Sequence, residues 1–165
     1  MTQANALTPE LLLAFLRRHK SAVIATASRD GMPEAALMDI AVTPELEIIF
    51  ETTTATRKFP NLKDNPYGAM VISWEENRTL QCDGDVDEPE GAAHDRIKEF
   101  YLSVFPEKAS HEFWPGNAYF RLRPNWFRLS DYNSPRQIQE LALPSAHKRR
   151  PRWFARALRI LRRRK

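Results

Sequence analysis

The chain opens on an apolar run with helical spacing and then changes period. Leu11, Leu12, Leu13, Phe15 and Leu16 follow Thr8-Pro9-Glu10, which predicts a helix over 8–19. Thr8 suits the cap and Pro9 the first helical position. Arg17, Arg18 and Lys20 stand where the carbonyl end of the helix favours cations. From residue 21 the pattern is that of strands. Residues 21–28 are rich in Val, Ile, Ala and Thr and lead to Asp30-Gly31, a strong hairpin signal, with a second strand over 33–42. After the turn Thr43-Pro44-Glu45, residues 46–52 alternate. Leu46, Ile48 and Phe50 share one face, and Glu47, Ile49 and Glu51 the other.

A short basic helix or turn spans 56–65, and 67–74 is apolar on both faces, as expected of a central strand. A turn at 75–77 leads into a strand over 79–86. A helix is predicted over 89–105, with Ala93, Ile97, Phe100, Tyr101 and Val104 at helical spacing. Residues 117–123 and 126–131 read as one long strand interrupted at Pro124, by a bulge or at an edge. About six strands with hairpin connections, one helix before them and one inserted before the last, predict a mainly β fold. Its expected form is a small six-stranded antiparallel barrel with flanking helices. Pro135, Pro144 and Pro151 punctuate a polar stretch, so the expected organisation is a domain over 1–133, a connector over 134–147 and a tail over 148–165.

Composition narrows this picture. A chain of 165 residues with 42% hydrophobic and 10% aromatic residues suits one globular domain. A single cysteine, Cys82, excludes an intramolecular disulfide and any Cys-x-x-Cys site, and with no basic neighbour it reads as a buried structural thiol. No apolar run approaches the roughly 20 residues needed to span a bilayer, so a cytoplasmic location is expected. The net charge of +4 is unevenly spread. Residues 148–165 hold ten of the 25 Lys and Arg and no acid, which leaves 15 basic against 21 acidic residues elsewhere. On a helical wheel Trp153, Phe154, Ala157, Leu158, Ile160 and Leu161 fall on one arc, opposite Arg156, Arg159, Arg162 and Arg163. That is the pattern of an interfacial helix drawn to anionic lipid, which would place the protein peripherally at a membrane. Nucleic acid, the less favoured partner, and the acidic domain of its own dimer are the competing readings.

Several signals carry nothing further. His19, His94, His111 and His147 show no metal-ligand spacing, and no metal site is expected. The acids at 83, 85, 87, 88 and 90 read as a solvated rim, and no Ser/His/Asp constellation or Gly-rich phosphate loop is visible. No catalytic residue is assigned. The chemistry concentrates in Glu51-Thr-Thr-Thr-Ala-Thr-Arg-Lys58, where hydroxyls end a strand and Thr56, Arg57 and Lys58 open a helix. Short hydroxyl donors, a planar guanidinium and an ammonium suit a phosphate monoester. A Thr-rich strand end before a solvated basic turn is the alternative.

The register Phe50-Glu-Thr52, Thr56-Arg57-Lys58, Asn61-Leu62, Asn65-Pro66 and Trp74 resembles the FMN-binding core of the pyridoxamine 5′-phosphate oxidase-like proteins. Ala25-Thr26, Asp30-Gly31-Met32-Pro33, Arg78-Thr-Leu-Gln81, Gly84, Arg121-Leu-Arg-Pro-Asn-Trp126 and Asp131-Tyr132 extend the likeness over about residues 10–132. The resemblance implies a split barrel that dimerises to build two FMN sites. Thr52, Thr56, Arg57 and Lys58 would bind the phosphate, with Thr53 beside them and Gln81 or Thr79 reaching the flavin. It also implies an FMN-dependent oxidoreductase passing hydride to or from a small-molecule substrate, or a non-catalytic module holding flavin, the deazaflavin cofactor or haem. Two departures argue against authentic pyridoxamine phosphate oxidation. Residues 35–41 lack the Arg and Lys that the oxidase carries on its second strand, and no Arg-Leu-His-Asp-Arg segment closes the chain.

Overall fold

The computed structural model describes residues 7–73 and 76–144, so the tail and its predicted helix lie outside the described residues. Helix α1 (Pro9–Leu16) begins as its sequence requires, with the Leu11 amide donating to Thr8 Oγ1 at 3.3 Å and Pro9 in the first turn. Leu12 and Leu16 are buried and join the main core. Strands β1 (Ser21–Ala27) and β2 (Pro33–Asp39) form the hairpin expected from Asp30-Gly31, with Gly31 at φ 84°. The predicted second strand is broken. Ile40 turns inward, its amide donates to the Lys20 carbonyl at 2.9 Å, and the chain resumes as β3 (Ala41–Val42).

Strand β4 (Ile48–Thr53), helix α2 (Lys58–Asp64), β5 (Tyr67–Ile72), β6 (Arg78–Asp87), α3 (Ala92–Val104) and a 3₁₀ helix (Pro106–Phe113) follow. The long β7 (Asn117–Asp131) and β8 (Gln137–Ala142) complete the domain. Every strand pairing is antiparallel, in the order β2-β1-β5-β6-β7-β4-β3, and β8 also pairs with β7. The two ends of that path, β2 and β3, are separated in the chain by Ile40 alone, so the sheet curls back on itself as a split barrel. Ile24, Ile48, Phe50, Met70, Leu80, Phe120 and Phe127 fill its interior. The alternation of β4 has a different outcome on its second face. Ile49 is fully buried there, with Ala41 and Tyr119, under Ile97, Tyr101 and Phe105.

One edge of β7 runs along β6, and the other is divided. Residues 117–122 pair with β4 and 126–131 with β8. Pro124 falls in the gap between them, at the bulge where Gly84 faces Pro124 and Asp83 faces Trp126. Among the described residues eight strands therefore stand where about six were expected. The sheet runs past residue 133 into the stretch read as a connector, because Pro135 and Pro144 flank β8 without entering it. Its Leu141 packs against the core although Gln137, Gln139 and Glu140 make the segment look polar. No described helix is long and apolar enough to cross a membrane.

Candidate functional site

The predicted phosphate segment is the turn from β4 into α2. Phe59 lies edge-on to Phe120 at 5.7 Å and Leu62 joins the core, which fixes α2 against the barrel. Pro60 sits in the first helical turn, where an amide has no helical acceptor and its loss costs little. Thr52 and Thr56 share a hydrogen bond of 2.9 Å between their hydroxyls, and Thr56 Oγ1 approaches the Thr53 carbonyl at 3.0 Å. Thr52, Thr53, Thr56, Arg57 and Lys58 are thus brought to one turn.

The two cations differ. The Arg57 side chain is 88% exposed and lies 3.9 Å from Glu34. Lys58 is buried to 7% exposure, and its ammonium has no hydrogen-bond or ion-pair partner among the described residues. Its stem is packed while its ammonium stays free to meet an anion, and the hydroxyls beside it add short donors. The donor set therefore fits a phosphate monoester.

Sequence reasoning missed the network behind this turn. The Asn61 amide donates to Thr26 Oγ1 and to Glu34 Oε2, both at 3.1 Å, tying α2 to β1 and β2. These partners are 35 and 27 residues away from Asn61, beyond any local pattern. Gln81 and Thr79 stand elsewhere, on β6. Gln81 is exposed between Val71 on β5 and Arg128 on β7, and Thr79 is half-buried beside Ser130.

A second polar centre was also missed, on the outer side of β4. The Glu51 side chain is 9% exposed and lies 2.7 Å from His111 Nδ1 and 3.5 Å from Lys108 Nζ. Lys108 also pairs with Asp39 and donates to the Tyr101 hydroxyl at 3.3 Å. Burial first, then the Glu51 and Asp39 charges, pushes the Tyr101 phenol far above its usual range. His111 stacks on Trp114 with ring centres 3.7 Å apart. The centre clamps the 3₁₀ helix onto the sheet. Cys82 is buried, as its sequence context suggested, and burial followed by the Asp83 charge raises its thiol to about 12.

The fold and the β4–α2 turn define a class, the antiparallel split barrels with a candidate anion site at a strand-to-helix turn. Residues 8–130 match the sequence model of pyridoxamine 5′-phosphate oxidase. The chain belongs to the pyridoxamine 5′-phosphate oxidase family. It is 30% identical over 88 residues to the pyridoxine/pyridoxamine 5′-phosphate oxidase of Burkholderia vietnamiensis. That alignment covers 53% of this chain and only 41% of the relative. Among solved structures, a heme binding protein from Mycobacterium smegmatis superposes with a TM-score of 0.70 at 15% identity, over 86% of this chain and 60% of the other. An FMN binding protein from Nostoc punctiforme, related to pyridoxamine 5′-phosphate oxidase, superposes with a TM-score of 0.59 at 10% identity, over 85% and 98%. At these identities the likeness is one of fold.

Proposed function

We propose that the protein binds FMN at the Thr52–Lys58 turn and works as an FMN-dependent oxidoreductase on a small substrate. The observation that carries this reading is Lys58, a largely buried side chain whose ammonium has no acidic partner among the described residues, beside the linked hydroxyls of Thr52 and Thr56. Lys58 and the mobile guanidinium of Arg57 hold the phosphate, Thr52 and Thr56 orient it, and Thr53 lines the turn. Hydride exchange with a small molecule is the chemistry that a bound flavin supplies. Family membership and the FMN-binding Nostoc neighbour support the cofactor.

The working unit is a homodimer in this reading. Its support is an outward apolar face shared by β1, β2 and β5, where Val23 lies between Leu37 and Val71, and Ala25 between Ala35 and Ala69. Leu37 is 64% exposed, and a face of this composition is normally covered. Gln81 borders the same face and reaches the flavin from there. The basic stretch 148–165 adds attachment to an anionic membrane surface.

A second reading, a non-catalytic haem-binding module, is favoured by the heme binding neighbour from Mycobacterium smegmatis. The absorption spectrum of the purified protein, before and after incubation with FMN, separates the two. Flavin bands that remain with a dimer through gel filtration support the first, and turnover of a reduced nicotinamide with an acceptor establishes the oxidoreductase. A Soret band in place of flavin bands sinks it in favour of haem. A deazaflavin band would replace the cofactor but keep the site.

A further inference from the structure

Among the described residues, one acid pairs with a cation of the candidate phosphate turn. Glu34 projects from β2 to within 3.9 Å of the Arg57 guanidinium, and its other oxygen accepts from Asn61 at 3.1 Å. Its side chain is 14% exposed and its carboxylate is fixed by Asn61, whereas the Arg57 side chain is 88% exposed. The elements packed around the carboxylate contribute the Arg57 charge, the Asn61 amide and, through Asn61, the Thr26 hydroxyl. Arg57 and Lys58 alone carry two positive charges, which match a phosphate monoester of about −1.5 to −2. With Glu34 included, the turn carries a single net positive charge and falls short of that match.

We propose that Glu34 sets the strength of phosphate binding by acting as an internal counter-ion for Arg57, with which an incoming phosphate competes. This inference rests on the phosphate site argued above. Glu34 draws Arg57 toward β2 while the site holds no phosphate and repels the phosphate once it is bound. The consequence is moderate, exchangeable binding of a phosphate-bearing ligand at a turn otherwise built to hold it tightly. The Asn61 contact gives Glu34 a structural duty too, and the two roles separate chemically. Glutamine keeps an acceptor for Asn61 and removes only the charge.

The experiment is a pair of titrations, FMN and riboflavin, against the full-length protein and its Glu34→Gln variant, followed by flavin fluorescence. A like charge removed at this range should tighten FMN binding by a factor of about three to ten. Riboflavin, which lacks the phosphate, should bind both proteins equally. Unchanged or weaker FMN binding by the variant, with the wild type still binding FMN, overturns the inference and leaves the phosphate site standing. Failure of the wild type to bind FMN overturns both. Should the Gln variant not fold, Glu34→Ala removes the same charge, and the same tightening is expected.

Discussion

His111 Nδ1 lies 2.7 Å from Glu51 Oε1, which joins the 3₁₀ helix to the outer side of the strand that carries Thr52. Glu51 also has Lys108 at 3.5 Å and Asn117 at 3.5 Å, so its buried charge is shared among three donors. Losing His111 should therefore cost less than losing Lys108, which neutralises both Glu51 and Asp39. His111→Ala is expected to lower unfolding free energy by about 1 kcal/mol and Lys108→Met by about 2–3 kcal/mol. Urea titrations followed by circular dichroism measure both, and a larger loss for His111→Ala would show that the sharing is wrong.

The clamp makes an asymmetric prediction. Lys58→Ala should weaken FMN binding by about 1.5–3 kcal/mol, because its ammonium is positioned by the protein. Arg57→Ala should cost less, about 0.5–1 kcal/mol, since its side chain is exposed and already engaged by Glu34. Equilibrium titration of the single variants tests the order, and near-normal affinity in the double variant would mean that the site lies elsewhere.

At the β6–β7 bulge a side chain has no room. A Cβ on Gly84 would stand 2.0 Å from the Arg123 carbonyl oxygen, which belongs to the backbone and cannot swing away. Gly84→Ala should destabilise the domain by about 3 kcal/mol or more, read from its thermal or urea midpoint. A midpoint equal to that of the wild type would place the bulge wrongly.

Cys82 gives a pH-dependent test. With its thiol raised to about 12, almost no thiolate exists in the folded protein at pH 8, whereas an unfolded cysteine titrates near 8.5. A disulfide reagent at pH 8 should leave the native protein unmodified and label one thiol per chain in denaturant. The same shift favours the folded state fully below the ordinary cysteine pKa, a contribution lost as pH rises through the folded value. Rapid labelling of the native protein would contradict the burial of this strand.

The tail is tested by removal. A chain lacking 148–165 should no longer sediment with vesicles of anionic lipid, and on the proposed reading should still dimerise and bind FMN. If deletion instead abolishes nucleic-acid binding, or splits the dimer, the membrane assignment fails.

What could be read from the chain was local. Thr8-Pro9, Asp30-Gly31 and the alternation through Ile48 and Phe50 each announce an element within a few residues, and each element is there. Strand β8 escaped because polar Gln137, Gln139 and Glu140 between two prolines resemble a linker, and only pairing with β7 makes them a strand. The 3₁₀ helix has no hydrophobic period to betray it. The site divides the same way: Thr52 to Lys58 and Asn61 are neighbours in sequence, while Thr26 and Glu34 meet them only through the hairpin and the curl of the sheet.

The divided edge of β7 gives one strand two sets of partners. Residues before Pro124 pair with β4 and so with the strand that leads into the Lys58 turn, and an insertion there would shift that turn. Residues after it pair with β6 and β8, while Phe127 among them still fills the barrel interior. One continuous strand thus joins the strand that bears Thr52 to the last strand of the sheet, with the bulge at Pro124 between the two pairings.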